Sequence, residues 1–190
     1  TPEKYAELLK RVYEIIKKND PEGQVIAFST AQPALSWVRK ALEAGAIDYM
    51  DGASTHPYDW DGKFDVPTYR AKVQSFIDLF AEFGRPDMPI HLTEIGIRDH
   101  LEGGWGNANV AAAQNIEYYA VTQAENLGTV YQFSAINNYP NILWENGSGE
   151  QRWGLLNHGN ERVPFSARPA AISTMAYNKL IGNAEMVNCY

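Results

Sequence analysis

Apolar residues along this 190-residue chain change rhythm again and again, from helical spacing to short continuous runs and back. Residues 1–18 place Tyr5, Leu8, Leu9, Val12, Ile15 and Ile16 on one helical face. Thr1 can cap that helix, Pro2 suits its first position and Glu3 its positive end. Asn19-Asp20-Pro21-Glu22-Gly23 turns the chain. Residues 24–29, with Val25-Ile26-Ala27-Phe28 at their heart, predict a strand, and 33–44 a helix closed by Gly45. A second strand is predicted over 47–53, leading into Ser54-Thr55-His56-Pro57-Tyr58. After a polar loop over 59–65, a helix over 67–83 turns Tyr69, Val73, Phe76, Ile77 and Phe80 inward, and Gly84-Arg85-Pro86 stops it. A third strand follows, Met88-Pro89-Ile90-His91-Leu92-Thr93-Glu94. Residues 98–107 form a loop with Gly103-Gly104-Trp105-Gly106, and 109–126 a helix ended near Gly128. A fourth strand over 129–136, a long loop over 137–163 and a last helix over 167–180 complete the chain.

Strands alternating with helices predict an α/β fold with a parallel sheet. The strands are short apolar runs, as strands covered on both faces are. Loops after strands are long and rich in His, Trp, Asn and Asp, whereas loops after helices are short. A (β/α)8 barrel has that asymmetry, because its active site is built from the loops at the strand C-termini. A complete barrel takes about 250 residues, and this chain opens on a helix with no strand before it. The expectation is one domain over residues 1–190 that forms the C-terminal half of a TIM barrel, with earlier strands outside the chain. A self-contained, doubly wound four-stranded domain is the alternative.

Composition narrows the function. Hydrophobic residues make up 45% and charged residues 21%, ordinary globular values. Five Trp and eleven Tyr are many for this length. They serve either core packing or a cleft lined with flat rings, as carbohydrate sites often are. A net charge of −7 argues against nucleic acid or an anionic membrane as partner. Cys189 is the only cysteine, which excludes an internal disulfide framework and a cysteine-based zinc site. No apolar run approaches a membrane span.

Glu94 follows a buried strand and precedes Gly96, so it sits where α/β folds place reactive groups. It is either a strand-end carboxylate with a function or a solvated loop glutamate. In a barrel, His56 and Tyr58 converge on it from one strand end, and Gln132, Ser134, Asn137 and Asn138 from another. A carboxylate beside a phenol and an imidazole is a plausible nucleophile or base. His56 alone reads equally as a turn histidine, and Tyr58 as a packing residue. No Gly-rich loop between strand and helix suits phosphate. His56, His91, His100 and His158 are scattered, with no helical pairing for a metal. No cofactor is expected.

His56-Pro57-Tyr58 after one strand and Leu92-Thr93-Glu94-Ile95-Gly96 after the next resemble the last four βα units of clan A glycoside hydrolases, most of all the family 39-like glycosidases. Trp153-Gly154-Leu155-Leu156 and Arg168-Pro169-Ala170 look like their run into the final helix. The resemblance spans nearly the whole chain. It implies retaining hydrolysis of a polysaccharide or oligosaccharide by two carboxylates. Glu94 matches the nucleophile, and His56 and Tyr58 the residues around it. Trp60, Trp105, Phe133, Asn137 and Trp144 are the further candidates for sugar contacts. The clan's acid/base is a Glu in an Asn-Glu pair, absent here at any matching place; Asp59, Asp61, Asp99, Glu102 and Glu145 follow no family pattern. The expected partner is therefore an N-terminal half of the same barrel that carries the acid/base glutamate. A secreted or periplasmic bacterial protein fits the resemblance. A non-catalytic carbohydrate-binding or assembly half-barrel is the other reading.

Overall fold

The computed structural model describes residues 1–58, 64–98, 108–137, 153–159 and 163–184. The elements are α1 (Pro2–Asn19), β1 (Ile26–Thr30), α2 (Leu35–Glu43), a 3-10 turn (Ala46–Tyr49), β2 (Gly52–Thr55), α3 (Val66–Glu82), β3 (Ile90–Ile95), α4 (Ala108–Ala124), β4 (Val130–Gln132) and α5 (Pro169–Leu180). The four strands form one sheet in the order β1-β2-β3-β4. The β1–β2 and β2–β3 pairs are parallel. Gly128 N–H to Ile90 carbonyl (2.7 Å) and Leu92 N–H to Thr129 carbonyl (3.0 Å) continue the same sense into β4. A doubly wound domain reverses strand order at a switch point. This order never reverses, which is the sequence of neighbours in a barrel wall.

Two compact units divide the chain. The first comprises Thr1–Tyr58, Pro67–Glu94 and Leu127–Tyr131. Its core joins Ala6 and Leu9 of α1, Val38, Ala41 and Leu42 of α2, and Phe76, Leu79 and Phe80 of α3 to the strands. Register explains which strand residues meet them. Ala27 pairs with Ala53, and Ala53 with Ile90, a row of buried apolar residues across three strands. The next row is Phe28, Ser54 and His91. Successive side chains of a strand point to opposite faces, but Phe28, at φ 80, breaks that alternation, and its ring packs on Tyr5 of α1, Trp37 of α2 and Phe80 of α3.

Thr1 caps α1 by accepting from the Lys4 N–H. At the other end of α1, Lys17 lies 3.0 Å from Asp51, and the Asp51 carboxylate accepts the Val25 N–H at 2.8 Å. Burial opposes ionisation of Asp51, but the Val25 N–H and Lys17 outweigh it and hold its carboxyl below the usual range. The second strand differs from expectation here. Residues 46–49 wind as a 3-10 turn after Gly45, which takes φ 92, and β2 starts only at Gly52. Ala46 and Ile47 pack into the core from that turn, so their apolar character, which read as strand, is spent in a turn.

The second unit comprises Asp59–Val66, Ile95–Asn126 and Gln132–Tyr190. Tyr118 and Asn115 of α4 are fully buried, and Tyr119 stacks on Tyr177 of α5 at 5.6 Å between ring centroids. The fourth strand is shorter than the pattern predicts. It ends at Gln132, the Phe133–Ser134 peptide is cis, and Ile136 pairs instead with Leu156, which in turn pairs with Ala167.

Candidate active site

The C-terminal ends of β1, β2 and β3 assemble a polar cluster in the first unit. The ladder runs past the named end of β2: the His56 N–H donates to the Thr30 carbonyl at 2.7 Å. Pro57 is fully buried, and the Tyr58 N–H closes a tight turn onto the His56 carbonyl at 2.8 Å. Two side chains then anchor the Tyr58 backbone. Gln32 donates to its carbonyl at 2.5 Å and Lys72 of α3 at 3.1 Å. Tyr58 is only 3% exposed.

Its hydroxyl donates to Glu94 Oε1 at 2.8 Å. A phenol held by its own backbone thus fixes one oxygen of the carboxylate, while no described residue hydrogen-bonds the other. His56 lies near enough for the Glu94 charge to act on it. Burial pushes the imidazole below its ordinary pKa, and Glu94 pulls the opposite way more weakly. His56 Nε2 meets Thr93 Oγ1 at 2.9 Å. Thr93 Oγ1 also lies 2.6 Å from Ser54 Oγ and 3.2 Å from Ser29 Oγ. Chemically, this is an oriented carboxylate with an imidazole beside it, a nucleophile or a base.

Of the residues expected from sequence, Glu94, His56 and Tyr58 thus come together. Phe133 and Asn137 belong to the second unit. Phe133 donates its N–H to the Ile95 carbonyl at 2.8 Å, and its ring meets Trp153 edge-on at 6.2 Å. The Arg98 guanidinium lies 5.8 Å from the Trp153 ring centroid, a cation–π geometry. A Cβ at Gly96 would run into the Phe133 carbonyl, so only glycine fits there. Asn137 is 2% exposed, and its Oδ1 accepts from the Gly154 N–H (2.9 Å) and from Arg168 (2.8 Å). Trp60, Trp105 and Trp144 lie outside the described residues, as do Asp59, Asp61, Asp99, Glu102 and Glu145.

Sequence reading missed Gln32, Lys72, Ser29, Ser54 and Thr93. Each is an ordinary polar residue whose partner lies far off in the chain, so no local spacing marks it. Among the described residues, no three His, Cys, Asp or Glu side chains gather as metal ligands would. No described helix is long and apolar enough to cross a membrane.

No protein-family model matches the sequence, and no curated protein matches it. Solved structures do. A family 39 glycoside hydrolase from Bacteroides cellulosilyticus WH2 superposes with a TM-score of 0.72 at 20% identity, over 94% of this chain and 38% of that one. A GH51 alpha-L-arabinofuranosidase from Thermotoga petrophila RKU-1 gives 0.63 at 16% identity, over 96% and 36%. Xylanase 10B from the same organism gives 0.59 at 12% identity, over 91% and 51%. The likeness shows the fold, part of a barrel like those of these glycoside hydrolases. The chain spans between about a third and a half of these neighbours' lengths.

Proposed function

We propose that this chain is the nucleophile-bearing, C-terminal half of a (β/α)8 retaining glycoside hydrolase that acts on a polysaccharide or oligosaccharide. The observation that carries the reading is the 2.8 Å hydrogen bond from Tyr58 to Glu94, between the ends of adjacent parallel strands. The barrel fold supports it, since such barrels build their sites at that end of the sheet. Glu94 attacks the anomeric carbon and forms a glycosyl ester while the leaving oxygen takes a proton from a second carboxylic acid. That group then deprotonates a water, which attacks the same carbon and releases Glu94. The second carboxylate belongs to an N-terminal segment of the same barrel, within about 5–5.5 Å of the first, as retaining hydrolysis requires. A secreted or periplasmic location suits a polysaccharide substrate.

The test is Glu94→Gln in the barrel that holds both carboxylates, assayed on aryl glycosides and by affinity electrophoresis in polysaccharide gels. Turnover is expected to vanish while sugar binding persists. A fluorinated glycoside should label Glu94 covalently in the parent protein. Unchanged turnover in the variant, or a label on another residue, overturns the assignment.

A further inference from the structure

We infer that Thr93 is a positioning residue that holds His56 as its Nε2–H tautomer and so leaves Nδ1 as a hydrogen-bond acceptor for a sugar hydroxyl. The use of Nδ1 rests on the glycosidase reading; the tautomer does not.

Proton counting gives the assignment. A threonine hydroxyl has one proton to donate and two lone pairs with which to accept. Thr93 Oγ1 has three partners: Ser29 Oγ at 3.2 Å, Ser54 Oγ at 2.6 Å and His56 Nε2 at 2.9 Å. Its proton goes to Ser29. Ser54 Oγ already accepts the Thr93 N–H at 3.3 Å, so its own proton is free to go to Thr93 Oγ1. The remaining lone pair faces His56, and Nε2 must therefore carry the hydrogen. Nδ1 has no partner among the described residues.

The backbone is shaped to complete this arrangement. Pairing between β1 and β2 slips between Phe28 and Thr30, so Ser29 is an extra residue in the strand. Phe28 and Ser29 take φ 80 and 56, the left-handed region that side chains other than glycine rarely adopt. The Phe28 N–H donates instead to the Tyr5 hydroxyl at 2.7 Å, and the Phe28 ring stacks on Tyr5 at 5.4 Å and meets Trp37 edge-on at 6.4 Å. Bulges beside sites re-aim side chains, and this one carries the Ser29 hydroxyl to Thr93. Three adjacent strands thus each contribute one hydroxyl to a cluster with one consistent set of donors.

Nitrogen-15 NMR of the imidazoles, at a pH where His56 is neutral, reads the tautomer directly. In the full chain, His56 Nε2 should resonate as a protonated, pyrrole-like nitrogen and Nδ1 as an unprotonated, pyridine-like one. Thr93→Val removes the acceptor and should shift His56 to a mixture, and Thr93→Ser should restore the parent pattern. Ser29→Gly suits the positive φ and keeps the fold if Thr93→Val does not. It removes the acceptor of the Thr93 proton, so that proton can turn to Nε2 and the Nδ1–H form should grow. A parent protein with Nδ1 protonated, or variants with an unchanged tautomer, overturns the proposal. If the tautomer is as stated but the completed barrel hydrolyses no glycoside, the glycosidase reading fails and the positioning role stands.

Discussion

Tyr58 shows how much of a site can rest on one side chain that does no chemistry itself. Its carbonyl is gripped by Gln32 and by Lys72 of α3 and its hydroxyl meets Glu94, so a buried residue works as a strut between a loop, a helix and a carboxylate. A hydrogen bond to a charged group contributes about 1.5–3 kcal/mol. Under the proposed function, Tyr58→Phe should therefore lower kcat/KM by roughly 10–100-fold with little change in fold. Wild-type kinetics in that variant would remove Tyr58 from the site. His56 and His91 are both held below the ordinary imidazole value of 6.5 by burial. Below that value the unfolded chain takes up protons that the folded chain resists, so stability rises with pH through this window. The contribution is complete above 6.5 and is lost as pH falls through the lower folded-state values. Urea denaturation across this range should show the slope, and replacing both histidines by Gln should flatten it. An unchanged slope would mean that other groups set the acid sensitivity.

Between elements, the informative contacts are made by small residues. His91 on β3 lies between the two neighbouring strands. It accepts the Thr129 N–H on Nδ1 at 3.0 Å, and a Cβ at Gly128 would come within 2.6 Å of its ring. A Cβ at Gly52 would meet Ile26 at 2.8 Å and the Pro89 carbonyl at 3.1 Å. The glycines are required for close approach of neighbours across the sheet, with no special backbone angle at either. Overpacking of this kind costs about 1–3 kcal/mol, so Gly128→Ala should lower the urea midpoint with an unchanged m-value. Full stability in Gly128→Ala would show that the β3–β4 contact is looser than described. On the helix side, Phe76 is fully buried against Phe80 at 5.3 Å. Phe76→Ala is expected to cost about 3–5 kcal/mol, and the two substitutions should separate sheet packing from core packing.

For the whole molecule, coverage matters more than identity. A chain that matches 94% of its own length to 38% of a family 39 structure covers only part of that neighbour. Under the proposed function, this chain alone should release no product from aryl glycosides, and addition of the N-terminal segment should restore hydrolysis. A lone chain with full activity would refute the two-part site. The formal charge of −7 disfavours a polyanion as ligand, so heparin or DNA should not compete with a neutral polysaccharide.

The alternation of helices and strands, their parallel sense and the carboxylate at the end of β3 were all legible in the residues alone. These rest on local causes: apolar spacing, Pro and Gly punctuation, and the need to bury one face. His56-Pro57-Tyr58 was legible for a similar reason, since it directly follows a strand. Tertiary structure alone decided the rest. Strand order depends on which edges meet. The length of β4 depends on Ile136 finding Leu156, and β2 begins late because Ala46 and Ile47 bury themselves from a turn. The Ser29, Ser54 and Thr93 hydroxyls belong together only because β1, β2 and β3 lie side by side, bringing residues 64 and 39 positions apart within hydrogen-bonding distance. Local rules reach a few residues along the chain. A hydrogen-bonded cluster across three strands is set by register, and register exists only once the sheet has formed.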